Sequence, residues 1–226
     1  MNITMTGNLG SGKSSVCKVF KEKGIDVTST GTIFREIAAE KGISVIELNE
    51  LAKKDRSIDD MIDERSTRLG KELDNTVFDS RMAWHFAVPS FKVFLLVDTK
   101  EAARRTFAGA SRESEEYASE EECAAGLRER ANLERDRYKM LYDVDYFSAS
   151  NYDLIIESTA ASPAEIAEEI LAQFEEYKKN PFDKTKVLLC TKTLTEGKSG
   201  YSVISDGPVF TEVDAGNMKH SYSIDF

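Results

Sequence analysis

Residues 7–15, Gly-Asn-Leu-Gly-Ser-Gly-Lys-Ser-Ser, constrain this chain more than any other stretch. They follow a short β-prone run, "NITMT" (2–6), and lead into "VCKVFKEKG", whose apolar residues recur at helical spacing. Gly7-Asn8-Leu9-Gly10-Ser11-Gly12-Lys13-Ser14 fits G-x-x-x-x-G-K-[ST], the Walker A phosphate loop. Its glycines let the backbone turn with N–H groups pointing inward, a nest for phosphate oxygens. The N-terminus of the following helix adds partial positive charge. Lys13 then reaches the β- and γ-phosphates of a nucleoside triphosphate, and the Ser14 hydroxyl is placed for Mg²⁺. A Gly/Ser loop matching by chance would need neither a strand before it nor a helix after it; here both are expected.

A strand feeding such a loop and helix commits the chain to parallel β pairing with crossover helices. "IDVTS" (25–29) reads as a second strand, and "TVFD" (76–79), "KVFLLV" (92–97) and "YDLIIES" (152–158) as three more, apolar enough for burial on both faces. The helices announce themselves by their caps. Ser44 with Glu47, Asp98 with Glu101, Ser119 with Glu122 and Ser162 with Glu165 have the capping-box spacing, and Pro163 sits at the favoured first helical position. Between the second and third strands lie roughly 45 residues, too many for one crossover helix. Val45, Leu48 and Leu51, then Ile58, Ile62, Leu69 and Leu73, repeat with helical period, so a small helical insertion is expected there. After Asn180-Pro181 the pattern changes. "YSVISDGPVFTEV" (201–213) alternates around Asp206-Gly207, a hairpin signal, and residues 180–226 read as a β-rich appendage or tail.

Hydrophobic residues make up 41% and charged residues 31%, enough for a packed core. Thirty Lys and Arg against 40 Asp and Glu leave a net charge of -10, which argues against nucleic acid or an acidic membrane as partner. An anionic ligand must therefore be small and met by a local basic cluster. Cys17, Cys123 and Cys190 have no metal or disulfide spacing, so a reducing cytoplasm is expected. No basic-then-apolar leader and no 18-residue apolar run occurs, so neither secretion nor a membrane span is expected.

Three stretches add to the phosphate loop. They are "STGTIFREIAAEKGISVIELNELAKKD" (29–55), "IDDMIDERSTRLGKELDNTVFDSRMAWHF" (58–86) and "RANLERDRYKMLYDVDYFSASNYDLIIEST" (130–159). With them the chain, from residue 1 to about 178, resembles the cytidylate kinases, in particular their compact archaeal-type branch within the nucleoside monophosphate kinase superfamily. The resemblance implies an α/β three-layer sandwich: a five-stranded parallel sheet in a core spanning 1–179, a helical acceptor-binding insertion over about 30–75, and a lid over about 111–145. It implies ATP and Mg²⁺ as cofactors, small nucleotides as partners, a monomer, and phosphoryl transfer to a nucleoside monophosphate, CMP or dCMP first.

Roles follow position by position. The resemblance assigns ATP binding to Gly7, Asn8, Leu9, Gly10, Ser11, Gly12, Lys13, Ser14 and Ser15. Ser29 and Gly31 open the acceptor site, where Arg35 grips the acceptor's phosphate. Asp79, in "VFDSR", joins Ser14 on the metal, and Arg81 faces the acceptor nucleotide. Arg130 and Arg137 are the lid arginines and act with Lys13 in catalysis; seven residues is close to two turns, so both point to one side. Guanidinium groups suit a clamp over a transferring phosphoryl group. On periodicity alone Arg130 with Glu134 is equally an ordinary i,i+4 surface pair, and a surface helix arginine is the alternative reading of Arg35. Ser80 stands where the family usually keeps glycine, and Leu133 where relatives often carry a small polar residue. Two other readings stay open: a kinase of another small phosphorylated acceptor such as dephospho-coenzyme A, and a regulatory ATP-binding module that uses residues 180–226. Arg35 favours an acceptor that already bears phosphate, which counts against shikimate and gluconate, and a pure sensor has no use for it.

Overall fold

Six fully buried residues, Asn2 to Gly7, place the first strand in the middle of a sheet and aim its end at the phosphate loop. The computed structural model describes residues 1–109, 117–183, 185–192, 199–203, 212–214 and 219–221. Strands β1 (Asn2–Gly7), β2 (Asp26–Ser29), β3 (Thr76–Asp79), β4 (Ser90–Leu96), β5 (Leu154–Glu157), β6 (Lys186–Lys192) and β7 (Ser199–Val203) form one sheet in the order β2-β3-β1-β4-β5-β6-β7. The first six run parallel and β7 is antiparallel to β6. The five strands expected from the sequence are its contiguous core. Strands β8 (Glu212–Asp214) and β9 (Lys219–Ser221) pair with each other. Of the alternation at 201–213, residues 201–203 belong to β7, which pairs with β6, and residues 212–213 to β8, which pairs with β9. The Asp206-Gly207 turn and residues 110–116, at the start of the expected lid, lie outside the described residues.

The helices are α1 (Lys13–Glu22), α2 (Thr30–Lys41), α3 (Val45–Ala52), α4 (Ser57–Glu72), α5 (Ala83–Phe86), α6 (Thr99–Ala108), α7 (Glu120–Tyr142) and α8 (Pro163–Lys179). Side chains alternate along β4, and the two core layers follow from that period. Phe91, Val93 and Leu95 pack with Val16 and Phe20 of α1 and Ile166, Ile170 and Phe174 of α8. Phe94 and Leu96 turn the other way, onto Trp84 of α5, Ala131 of α7, Tyr146 and Tyr152. The four-residue α5 was not foreseen; it falls between two strands too close together to betray a helical period.

Helices α2, α3 and α4 stand between β2 and β3 around a small core of their own, Ile33, Ile37, Leu48 and Ile58. Of the periodic apolar positions, Val45, Leu51 and Leu73 stay exposed. Gly70 lets α4 approach the end of α5; a Cβ there would lie 2.6 Å from the Ala87 Cα. Ser44–Glu47 and Ser162–Glu165 form both halves of their capping boxes. The other two expected boxes are half made. Asp98 accepts the Lys100 and Glu101 N–H groups, but the Glu101 carboxylate is taken by Arg104 and Arg105. Ser119 accepts the Glu122 N–H, and Glu122 reaches past it to the Ala118 N–H. Among the described residues no helix is long and apolar enough to cross a membrane.

Candidate active site

At the carboxyl end of β1 the chain leaves the sheet under tight steric control. Asn8 N–H donates to the Leu95 carbonyl at 3.0 Å, and a Cβ on Gly7 would lie 2.5 Å from that same oxygen. Gly10, at φ +77°, backs onto α6, where a Cβ would meet the Ala102 carbonyl at 2.8 Å. Ser11 N–H closes a turn onto the Asn8 carbonyl at 3.2 Å. Gly12, at φ 88°, is the N-cap of α1 and brings no capping side chain. Ser15 N–H turns back onto the Gly12 carbonyl at 2.9 Å, and the partial positive charge of this helix end suits an anion.

Two cavities meet at this helix end. The first is bordered by residues 8–15 together with Arg81, Arg105 and Arg130. The second is bordered by Ser14, Cys17, Ser29, Thr32, Arg35 and Asp79. Ser14 belongs to both. Lys13 of the first cavity and Asp79 of the second are 4.0 Å apart, Nζ to Oδ1. Burial pulls the Lys13 ammonium down to about 8, helped by the Arg81 charge and opposed by Asp79, Cys17 and Glu134. Lys13, Arg81, Arg105 and Arg130 all border the phosphate-loop cavity. Cys17, deep in the main core, touches Asp79; burial first and Asp79 second push its thiol up to about 12, so it stays a neutral thiol at physiological pH.

The acceptor-side residues are fixed by the start of α2. Ser29 Oγ caps that helix by accepting the Thr32 N–H at 3.1 Å. Arg35 Nη2 donates to Thr32 Oγ1 at 3.2 Å, and Gly31 leaves room beside the guanidinium, 3.5 Å from where its Cβ would stand. Thr30 Oγ1 donates to Ser80 Oγ at 2.7 Å, which ties the insertion to the end of β3. The Ser80 side chain is therefore used in a hydrogen bond.

The arginines divide. Arg81 stands on the phosphate-loop side, with Nη1 donating to the Gly7 carbonyl at 3.1 Å and Nε to Glu134 at 2.8 Å. Arg130 of α7 also borders that cavity, with Nε donating to Glu134 at 3.2 Å. Arg137 donates from Nη2 to both Asp59 oxygens, each at 2.8 Å. It borders a larger cavity, about 800 Å³, between α3, α4 and the end of α7. That space has mixed charge and no phosphate nest, so size does not mark the reacting centre.

Two residues of the site were not singled out from the sequence. Arg105 of α6 donates from Nη2 to the Ser158 and Thr159 carbonyls at 2.8 and 2.9 Å, and its Nη1 lies 3.8 Å from a Cβ built on Gly12. Its signal was helical phase: three residues after Ala102, which abuts Gly10, it faces the loop, whereas Arg104 points outward. Ser158, at the end of β5, donates from Oγ to the Ser11 carbonyl at 3.0 Å and has no comparable signal.

A profile of the cytidylate kinase-like family matches residues 2–160. The chain belongs to that family. The cytidylate kinase of Methanobrevibacter smithii is 33% identical over 172 residues, covering 76% of this chain and 96% of that one. The cytidylate kinase of Methanocella arvoryzae is 34% identical over 181 residues, 79% of this chain and 99% of the other. Among solved structures, an uncharacterized protein from Eubacterium ventriosum superposes with a TM-score of 0.59 at 14% identity, covering 77% of this chain and 98% of its own. A shikimate kinase from Bacteroides thetaiotaomicron reaches 0.53 at 17% identity, over 78% and 98%. These two share the fold. Membership of the cytidylate kinase-like family makes the chain a phosphotransferase of the nucleoside monophosphate kinase class.

Proposed function

We propose that the chain transfers the γ-phosphoryl group of ATP, with Mg²⁺, to CMP or dCMP, giving ADP and the diphosphate. The observation that carries this reading is the shared wall of the two cavities: Ser14 borders both, and the Lys13–Asp79 pair bridges them at 4.0 Å. ATP phosphates lie in the nest of residues 8–15, and the acceptor's phosphate lies under Arg35. Two polyanions brought nose to nose need concentrated positive charge, which Lys13, Arg81, Arg105 and Arg130 supply on the donor side. The attacking atom is an oxygen of the acceptor's own phosphate, so no protein nucleophile is needed. Catalysis is positioning plus charge stabilisation. The cytidine preference rests on the relatives, which are named cytidylate kinases.

The residues at the wall fit magnesium. Ser14 and Asp79 offer hard oxygen donors, and Mg²⁺ takes few protein ligands while keeping waters and substrate phosphates. No cluster of three or more His, Cys, Asp or Glu that could hold a metal occurs among the described residues, which suits an ion that arrives with the nucleotide. When bound, it neutralises charge on the triphosphate oxygens.

ATP labelled in its γ-phosphate tests the reading. With CMP present, label should pass into CDP in step with ADP. Label released only as inorganic phosphate, or no release at all, would contradict it.

A further inference from the structure

Glu134 is a carboxylate behind a phosphate-binding cavity, where its charge can only repel a nucleotide. It does not border that cavity itself. Instead each of its oxygens is committed to one arginine that does. Oε2 accepts from Arg81 Nε at 2.8 Å and from the Tyr146 hydroxyl at 3.4 Å; Oε1 accepts from Arg130 Nε at 3.2 Å. Its side chain is 21% exposed and that of Arg81 17%, so this is not a solvated surface pair. Burial alone would raise the Glu134 carboxyl; the Arg81 and Arg130 charges outweigh it and hold it below its usual value.

We propose that Glu134 is a positioning residue for phosphoryl transfer: its carboxylate orients the Arg81 and Arg130 guanidiniums toward the phosphate loop and so ties α7 to the end of β3. The inference rests on the transfer reading above. Arg81 is held at both ends of its guanidinium, at Nε by Glu134 and at Nη1 by the Gly7 carbonyl. That leaves its remaining N–H groups for the cavity. Arg130, half-exposed on α7, is held at Nε on the other carboxylate oxygen. A fork with its Nε occupied presents its other edge, and two forks on one carboxylate keep a fixed mutual angle. Glu134 thus sets where two positive charges stand before the nucleotide arrives, which is the preorganisation that transfer requires.

The test separates binding from turnover. Glu134→Gln keeps the shape and removes the charge, so misdirected guanidiniums should lower kcat by about tenfold to a hundredfold. The Kd for ATP should stay within about threefold or tighten, because a repelling carboxylate is gone. In an Arg81→Ala, Arg130→Ala background the same substitution should change kcat by less than about threefold, since both of its arginine partners are missing. A kcat within about twofold of wild type, or an equal loss in both backgrounds, would overturn the inference. Thermal unfolding is followed in parallel. If Glu134→Gln loses its cooperative transition, Glu134→Asp keeps the charge and withdraws it by one methylene, and its kcat must still fall; an unchanged kcat would overturn the inference. Wild-type protein silent with both CMP and dCMP would remove the transfer reading and this inference together, whereas active wild type with unaffected Glu134 variants removes the inference alone.

Discussion

Burial first and the Arg81 charge second pull the Lys13 ammonium down to about 8, with Asp79 pulling the other way. Glu157 is its counterpart among acids. It is 3% exposed at the end of β5, and one oxygen accepts the Thr159 N–H at 2.7 Å. Burial pushes its carboxyl up to about 7, against the pull of Thr159 and Arg105. A carboxyl raised on folding binds its proton more tightly in the native state, so its stabilising effect is full below its ordinary value of 4.5 and is lost as pH rises to about 7. Glu157→Gln lacks that proton equilibrium. Its melting temperature relative to wild type should climb between pH 4.5 and 7 and level off above. A pH-independent difference would refute the assignment. What was legible here from sequence was local chemistry. The phosphate loop could be read because glycine, lysine and serine at fixed offsets have few other uses. Arg105 and Glu134 could not be weighted, because their partners at Ser158 and Arg81 lie 53 residues away in each case.

Helix α7 shows what spacing can and cannot say. Arg130 and Arg137 are two turns apart and were expected to form one clamp. They meet different partners: Arg130 overlooks the phosphate loop, and Arg137 grips Asp59 on α4, where Tyr142 also donates to Asp63 at 2.8 Å. The helical period was in the sequence, but the position of α4, fixed by packing within the insertion, was not. Arg130→Ala should therefore lower kcat by about a thousandfold, the lower end of the effect of a transition-state arginine, with little change in ATP affinity. Arg137→Ala should act mainly on KM for the acceptor, through the α4–α7 contact. Steady-state kinetics on both variants decide it; equal effects on kcat would mean that both arginines reach the reacting centre. The strands were easier. Runs such as "KVFLLV" and "YDLIIES" have no period-3.6 alternative of that length, so β4 and β5 were placed within a few residues.

Taken together, the fold brings scarce positive charge to one place on a chain of net charge -10. The order β2-β3-β1-β4-β5 sets the ends of β1 and β3 side by side, in register at Met5 and Asp79. That register puts Lys13, at the start of the helix after β1, against Asp79. The insertion between β2 and β3 brings Arg35 to the other side of the same wall. The pairing of β6 and β7 with the sheet could not be read in advance, because strand alternation does not name its partner. The measurement that bears most directly on this account is ADP formation from ATP and Mg²⁺ across CMP, dCMP, UMP, AMP, GMP and dephospho-coenzyme A, compared as kcat/KM. CMP or dCMP should lead. Preference for dephospho-coenzyme A, or ATP bound with no turnover on any of the six, would contradict it.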